Sequence, residues 1–223
     1  NGNLAMKGTG SGNDAYGVFA AQKGGYGSTK TYQATGINIY DKDGAAFTLN
    51  GNLDMKVKGV GVDMRGSEKN AVTIAGGTIF TPDDGEEASY KAVAATSGTF
   101  AMGMNDAKTG SNGKDVVVQG TISLGKKGTV DLGLGSSKSR WTGIADNKDG
   151  HPMNLYLSDG GMWENRRTSK DQYGLFAGSR VTKVAGGTAP AKAGVIVQKD
   201  SNPITIDHYS GHTILVYDHE ASS

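Results

Sequence analysis

Cysteine is missing altogether from the 223 residues, which removes disulfide frameworks, thiolate zinc sites and thiol nucleophiles in one step. Proline is scarce, at 4 residues against 36 glycines, and the glycines do not fall at every third position, so the chain is not collagen. No stretch approaches the ~18 apolar residues that a membrane-spanning helix needs. Neither sign of charge dominates: 23 lysines and arginines face 22 aspartates and glutamates, a net charge of +1. The charges are scattered, with no electrostatic footprint for nucleic acid or an anionic membrane surface. No Asn-x-Ser/Thr acceptor occurs, so N-glycosylation at that sequon has no site. Helical periodicity is nearly absent too, as expected where each interior glycine costs a helix about 1 kcal/mol relative to alanine. The longest helical candidate, Ser89–Ala95, runs straight into the turn signal Thr96-Ser97-Gly98.

Short β-branched runs separated by glycine, asparagine and aspartate are there instead. They predict strands at Ile37–Tyr40, Phe47–Leu49, Leu53–Val57, Val72–Ile74, Val116–Val118 and Thr121–Leu124. Further strands are expected at Thr129–Leu134, Asn154–Leu157, Gly194–Val197, Ile204–Asp207 and Thr213–Tyr217. Four segments share a strand–glycine corner–strand template: AFTLNGNLDM, AVTIAGGTIF, DVVVQGTISL and NLYLSDGGMW. Leu49, Ile74, Val118 and Leu157 precede their corners, in steps of 25, 44 and 39 residues. One step fits a solenoid coil, and the longer two fit two coils or one coil with an insertion. Such strands bury a face only by stacking on the next coil, so these four residues are expected inside, near one corner. Glycine and asparagine at the corners supply the positive φ of tight bends. Pro82–Glu87, Asn105–Lys114 and Asp146–Gly150 read as loops leaving the coil. The connections are too short for crossover helices. The expected fold is all-β, a right-handed parallel β-helix over residues 1–223 as a single segment, less sharply patterned over 1–115; the alternative is an antiparallel β-sandwich.

From Val116 onward the sequence resembles the passenger region of bacterial autotransporters. The resemblance rests on GTVDLGLGSSKSRWTGIA (128–145), MNLYLSDGGMWENRR (153–167), GLFAGSRVTKVAGGT (174–188) and GVIVQKDSNPITIDHYSGHTILVYDHE (194–220). Passengers of this kind carry an Arg-Trp-Thr-Gly segment and a glycine–tryptophan corner, matched here by Arg140–Gly143 and Gly161–Trp163. The resemblance implies a right-handed parallel β-helix exported through the outer membrane of a Gram-negative bacterium and displayed at the cell surface or released. It also accounts for the missing cysteines, because disulfides would fold a passenger before export. The chain opens at Asn1 without a secretory signal and carries no membrane barrel, so an internal segment of a larger protein is expected.

His151, His208, His212 and His219 lack the i, i+4 helical pairing of a zincin site and read as exposed or corner histidines. Ser210, in Tyr-Ser-Gly-His, lacks the Gly-x-Ser-x-Gly elbow of a hydrolase and reads as a turn. Asp83-Asp84-Gly85-Glu86-Glu87 offers hard oxygen ligands without an EF-hand or β-roll spacing, so a solvated loop is expected. Asp41-Lys42-Asp43-Gly44 reads as a turn between strands. Asp54, Asp131 and Asp207 lie on expected strands, and a glycan-cleaving pair would need two of them to align on adjacent coils. Tyr16, Phe19, Tyr26, Tyr32 and Tyr40 are expected to stack inside, with a sugar- or protein-binding stripe as the alternative. Trp141 and Trp163 are expected in the core. No catalytic residue, metal ligand or cofactor is assigned, and no ligand-binding residue is singled out.

The expected function is therefore that of a non-enzymatic adhesin module at the bacterial surface, a virulence-type passenger in which many weak contacts add up through repetition. Its expected partners are a host surface protein or glycan, or sister copies on other cells; nucleic acid and direct membrane insertion are not expected. A glycan-active β-helix enzyme and a stalk that only presents another domain are the alternatives.

Overall fold

Glycine corners and short β-branched strands give the chain a repeating path that closes on itself about once every two to three strands. The computed structural model describes residues 4–8, 15–21, 34–83, 90–169, 178–199 and 203–218. In chain order the strands are β1 (Leu4–Gly8), β2 (Ala15–Ala21), β3 (Ala34–Tyr40), β4 (Ala46–Val57), β5 (Gly59–Arg65) and β6 (Ala71–Phe80). Next come β7 (Lys91–Met102), β8 (Val116–Gln119), β9 (Thr121–Leu134), β10 (Arg140–Gly143), β11 (Ala145–Asp146) and β12 (Met153–Leu157). The last are β13 (Met162–Asn165), β14 (Ser179–Ala185), β15 (Gly194–Gln198), β16 (Ile204–Ser210) and β17 (Thr213–Tyr217). Among the described residues there is no α-helix, only a short 3-10 turn at Pro190–Lys192.

These strands form one curled sheet in which every ladder is parallel. Among the described residues the only antiparallel contacts are isolated bridges, Met104–Ser111, Ser158–Ala193 and Gly187–His212. The antiparallel sandwich is therefore not the fold. Each strand pairs with its counterpart one coil later, and the pairings sort the coil into three rows. The first row runs through β2, β3, β5 and the starts of β7 and β9 to β11. The second takes the start of β4 and of β6, the ends of β7 and β9, then β12, β14 and β16. The third takes β1, the ends of β4 and β6, then β8, β10, β13, β15 and β17.

Inward side chains line up in columns along each row. The first row stacks Ile37, Val62, Val93, Ile122 and Ala145. The second stacks Leu49, Ile74, Met102, Leu132, Leu155, Val184 and Tyr209. The third stacks Ile79, Val118, Trp141, Trp163, Ile196 and Leu215. Nearly all of these belong to one continuous buried cluster. Trp141 and Trp163 lie flat on one another, centroids 4.9 Å apart and planes 5° off parallel. Each indole N–H donates at 3.0 Å to the corner glycine carbonyl of an earlier stretch, Gly120 for Trp141 and Gly143 for Trp163. A buried indole thus keeps its one donor satisfied while its rings fill the core.

Two expectations change here. Val118 and Leu157 do not continue the column of Leu49 and Ile74, whose successors are Met102, Leu132 and Leu155. DVVVQGTISL spans the corner from the third row to the first, whereas AFTLNGNLDM and AVTIAGGTIF span the corner from the second to the third. Different corners of one coil look alike in sequence because each is a strand, a glycine and a strand. Ile74, Val118 and Leu157 are nonetheless buried, and Leu49 is half-buried. The helical candidate Ser89–Ala95 is the second: its part from Lys91 starts β7, which passes straight through Thr96-Ser97-Gly98 as a corner. Gly98 adopts φ 101° there, pressed against the Asn70 carbonyl, where a Cβ would collide. All eleven strands expected from the sequence are present.

Candidate functional site

Among the described residues, two outward stretches, 103–115 and 186–193, leave between the second and third rows. The ladder is also interrupted after Asp83, between β6 of the third row and β7 of the first, and after Ser169, between β13 of the third row and β14 of the second. Both interruptions are flanked by side-chain hydrogen bonds. Thr81 and Gln119 exchange two hydrogen bonds at 2.9 Å, each side chain donating to the other's carbonyl. Asn165 accepts from Ser179 Oγ at 2.6 Å and donates to Gln198 Oε1 at 2.7 Å, all three buried. β13 and β14, on either side of the second interruption, are tied together by this network. Glu164, buried beside it, takes Arg140 and Arg166, and Arg166 also reaches Asp83 at 2.7 Å.

The 103–115 insertion is the best-defined feature on the outside. Gly103, at φ 71°, turns the chain outward at the end of β7. Asn105 then builds the arch: its Oδ1 accepts from Thr109 N at 2.9 Å, its Nδ2 donates to Thr109 Oγ1, and its N–H donates to Gly110 O. Asn112 closes the neck, its N–H donating to Gly103 O at 2.8 Å and its Nδ2 to Ala75 O at 2.8 Å on the preceding coil. From the other side the Tyr156 hydroxyl donates to the Lys108 carbonyl at 3.2 Å. Lys183 Nζ in turn sits 5.2 Å above the Tyr156 ring. Short polar side chains that bond their own backbone are well suited to hold such a loop in one shape.

The arch divides the corner into two grooves. On one side lies an open groove of about 730 Å³, bordered by Asn50, Thr73, Asp106, Lys108 and Lys114 over a floor that includes Leu49 and Ile74. On the other lies a smaller one of about 270 Å³, with Thr109, Tyr156, Ser158, Asp159 and Lys192 on its walls. Together the two grooves present hydroxyls, amides, three ammonium groups and two carboxylates around a partly apolar floor. They do not assemble a nucleophile with a base.

The histidines, Ser210 and the acidic side chains lie elsewhere. His208 and His212 are exposed on the last coil, and His151 is half-buried in a turn whose backbone Asn147 caps. Among the described residues no three His, Asp or Glu side chains converge as metal ligands. Ser210 is exposed at the end of β16. Asp83 pairs with Arg166, and 84–87 lie outside the described residues. Asp41 accepts from Asp43 N at 2.8 Å in the turn expected there. Asp54, Asp131 and Asp207 do not align: Asp54 has Ala5 and Thr78 beside it, Asp131 has Ala101 and Asn154, and Asp207 pairs with Arg180. Tyr40 is not an interior residue: it is exposed, with the Arg65 guanidinium 5.6 Å from its ring. Tyr26 and Tyr32 lie outside the described residues, as do the side chains of Tyr16 and Phe19 and all of His219. Trp141 and Trp163 are fully buried, as expected.

Asn105–Lys114 was legible as a loop but not as a site. Its sequence signal is the long step in the third row, from Gly77 to Val116, where the preceding step runs only from Leu53 to Gly77. The chain matches no protein-family model, no curated protein and no solved structure.

Proposed function

We propose that the chain is a right-handed parallel β-helix that serves as a surface-displayed passenger segment of an autotransporter and binds by contact rather than by catalysis. The observation that carries this reading is the arch over 103–115. Its neck and tip are hydrogen-bonded to coils on both sides, so it is held in one shape outside the sheet. A preformed loop loses little entropy on contact, which favours recognition. The ligand class that fits its two grooves is a host-surface glycan or a polar protein loop, and display of many copies would sum weak contacts. The resemblance to passenger regions supports reading this activity as one at the bacterial surface or outside the cell, a reading with which the absence of cysteine agrees.

The test is binding of purified chain to cultured epithelial cells and to immobilised glycans. The comparison is a variant carrying Asp106→Ala, Lys108→Ala and Lys114→Ala together. A loss of tenfold or more in binding, with the melting temperature unchanged, supports the arch as the contact surface. Equal binding by parent and variant moves the contact elsewhere. No binding by the parent rejects the adhesive reading in favour of a stalk.

A further inference from the structure

Among the described residues the left-handed backbone is taken by twelve glycines and by two other residues, Lys108 and Asp159, both at φ 52°. Glycine takes it without steric penalty, whereas a side chain there is strained and persists only where its surroundings hold it. Both exceptions are charged, and each borders one of the two grooves beside the arch. Lys108 is held from both sides: its N–H donates to Asn105 O at 3.0 Å, and its carbonyl accepts from the Tyr156 hydroxyl. The arch also lies close on the next coil, since a Cβ at Gly133 or Gly135 would run into Gly103 O or Ser111. A lysine is thus presented at a fixed tip, at a position where glycine would be the less strained choice.

The larger groove has a definite charge once the side chains that build the arch are set aside. Asn105 is committed to Thr109, Asn112 to Ala75 O and Lys114 N, and the Ser111 hydroxyl to Gly113 N. The charged groups on its rim are Lys108, Lys114 and Asp106, all exposed and none in an ion pair among the described residues. Lys114 Nζ lies 3.5 Å from Asn50 O, which also borders the groove. Two ammonium groups against one carboxylate leave a net positive rim. An ammonium only donates, so the rim calls for anionic oxygens.

The floor narrows the class of anion. Ile74, Ala75 and Ala101 in it belong to β6 and β7, which are paired on both sides there. An acidic peptide therefore finds no open edge on these strands to extend. A sugar ring needs none: its C–H face lies on apolar side chains while its hydroxyls and acid groups reach the rim.

We infer that the larger groove binds an acidic sugar, a uronate- or sulfate-bearing glycan whose anionic group Lys108 and Lys114 hold between them. This inference rests on the adhesive reading above and narrows its ligand.

The probes are a hyaluronan hexasaccharide, which carries carboxylates, a heparin hexasaccharide, which adds sulfates, neutral chitohexaose, and poly-glutamate. In titration calorimetry at low salt, one or both acidic sugars should bind the chain at least tenfold more tightly than chitohexaose. Whichever binds identifies the anion, and added salt should shrink the preference by screening. Lys108→Ala and Lys114→Ala should each weaken binding at least fivefold, and Lys108→Arg should keep it. Lys108→Gly should weaken it as much as Lys108→Ala does, yet melt at a higher temperature, because glycine relieves the left-handed strain. Asp106→Asn removes a repelling carboxylate and should tighten binding, a change that a merely structural residue would not produce. Lys126→Ala, exposed on β9 between the first and second rows, should leave it unchanged. Chitohexaose bound as tightly as the acidic sugars overturns the inference, as does acidic-sugar binding indifferent to both lysines; either leaves the adhesive reading intact. Poly-glutamate bound more tightly than the sugars overturns it in favour of an acidic peptide. Failure of every probe overturns it as well, and cell binding by the same preparation then decides whether the adhesive reading survives.

Discussion

Trp163 and Leu215 occupy the same inward column two coils apart, yet one is fully buried and the other is 55% exposed. Both sit on parallel strands and both point to the axis. The difference lies in what is stacked on them: among the described residues Trp163 has Trp141 on one side and Ile196 on the other, whereas Leu215 has Ile196 alone. Burial here is a property of a neighbouring coil rather than of a residue or its strand. Stability should accordingly behave as a sum of coil-to-coil contacts, stronger for a coil stacked on both sides than for one stacked on a single side.

The sharpest way to test that contrast is to cut the centre. Trp163→Ala removes a stacked ring and leaves a cavity bounded by Trp141 and Ile196, and should cost about 3–5 kcal/mol in urea unfolding. Ile74→Ala, buried between Leu49 and Met102, should cost about 2–5 kcal/mol, as for other buried aliphatics. If both unfold like the parent, coil stacking does not carry the stability.

A third test uses pH on the first row. Burial raises the Asp63 carboxyl above its ordinary value, although Arg65 and Lys91 nearby pull the other way. A carboxyl that titrates higher in the folded chain than in the unfolded one contributes its stability at acid pH and loses it as pH rises through the folded value. Asp63→Asn cannot ionise, so its melting temperature relative to the parent should be higher at pH 7 than at pH 3. An equal difference at both pH values would mean that Asp63 titrates normally. The smallest effects belong to the surface. Leu215→Ala and Lys108→Ala should each stay within about 1 kcal/mol of the parent. A Leu215→Ala loss as large as that of Ile74→Ala would erase the distinction between a coil stacked on both sides and one stacked on a single side.

Much of this architecture was legible before the fold was known. Val72–Ile74 and Thr129–Leu134 announce themselves by β-branching and by the glycines around them, as do the other expected strands. β10 escaped notice because RWTG carries one large apolar residue, β13 was seen only as the short second strand of NLYLSDGGMW, and β5 escaped because glycines at the first and third positions of GVGVDMR weaken the strand pattern. The arch was visible as a polar stretch, but its fixed shape depends on Asn112 reaching Ala75 and on Tyr156 reaching Lys108. Neither partner is local in sequence.

Local chemistry by itself determined that this chain is β, rich in corners and poor in helix, because glycine, asparagine and β-branched residues set φ and ψ within a few residues of themselves. Tertiary structure alone decided which strand lies on which. Every corner has the same local chemistry, so only the packing of whole coils distinguishes the column of Leu49 from that of Val118. It also alone decided that Tyr40 faces outward and that Trp141 and Trp163 are sealed in, because exposure depends on neighbours supplied from 20 or more residues away.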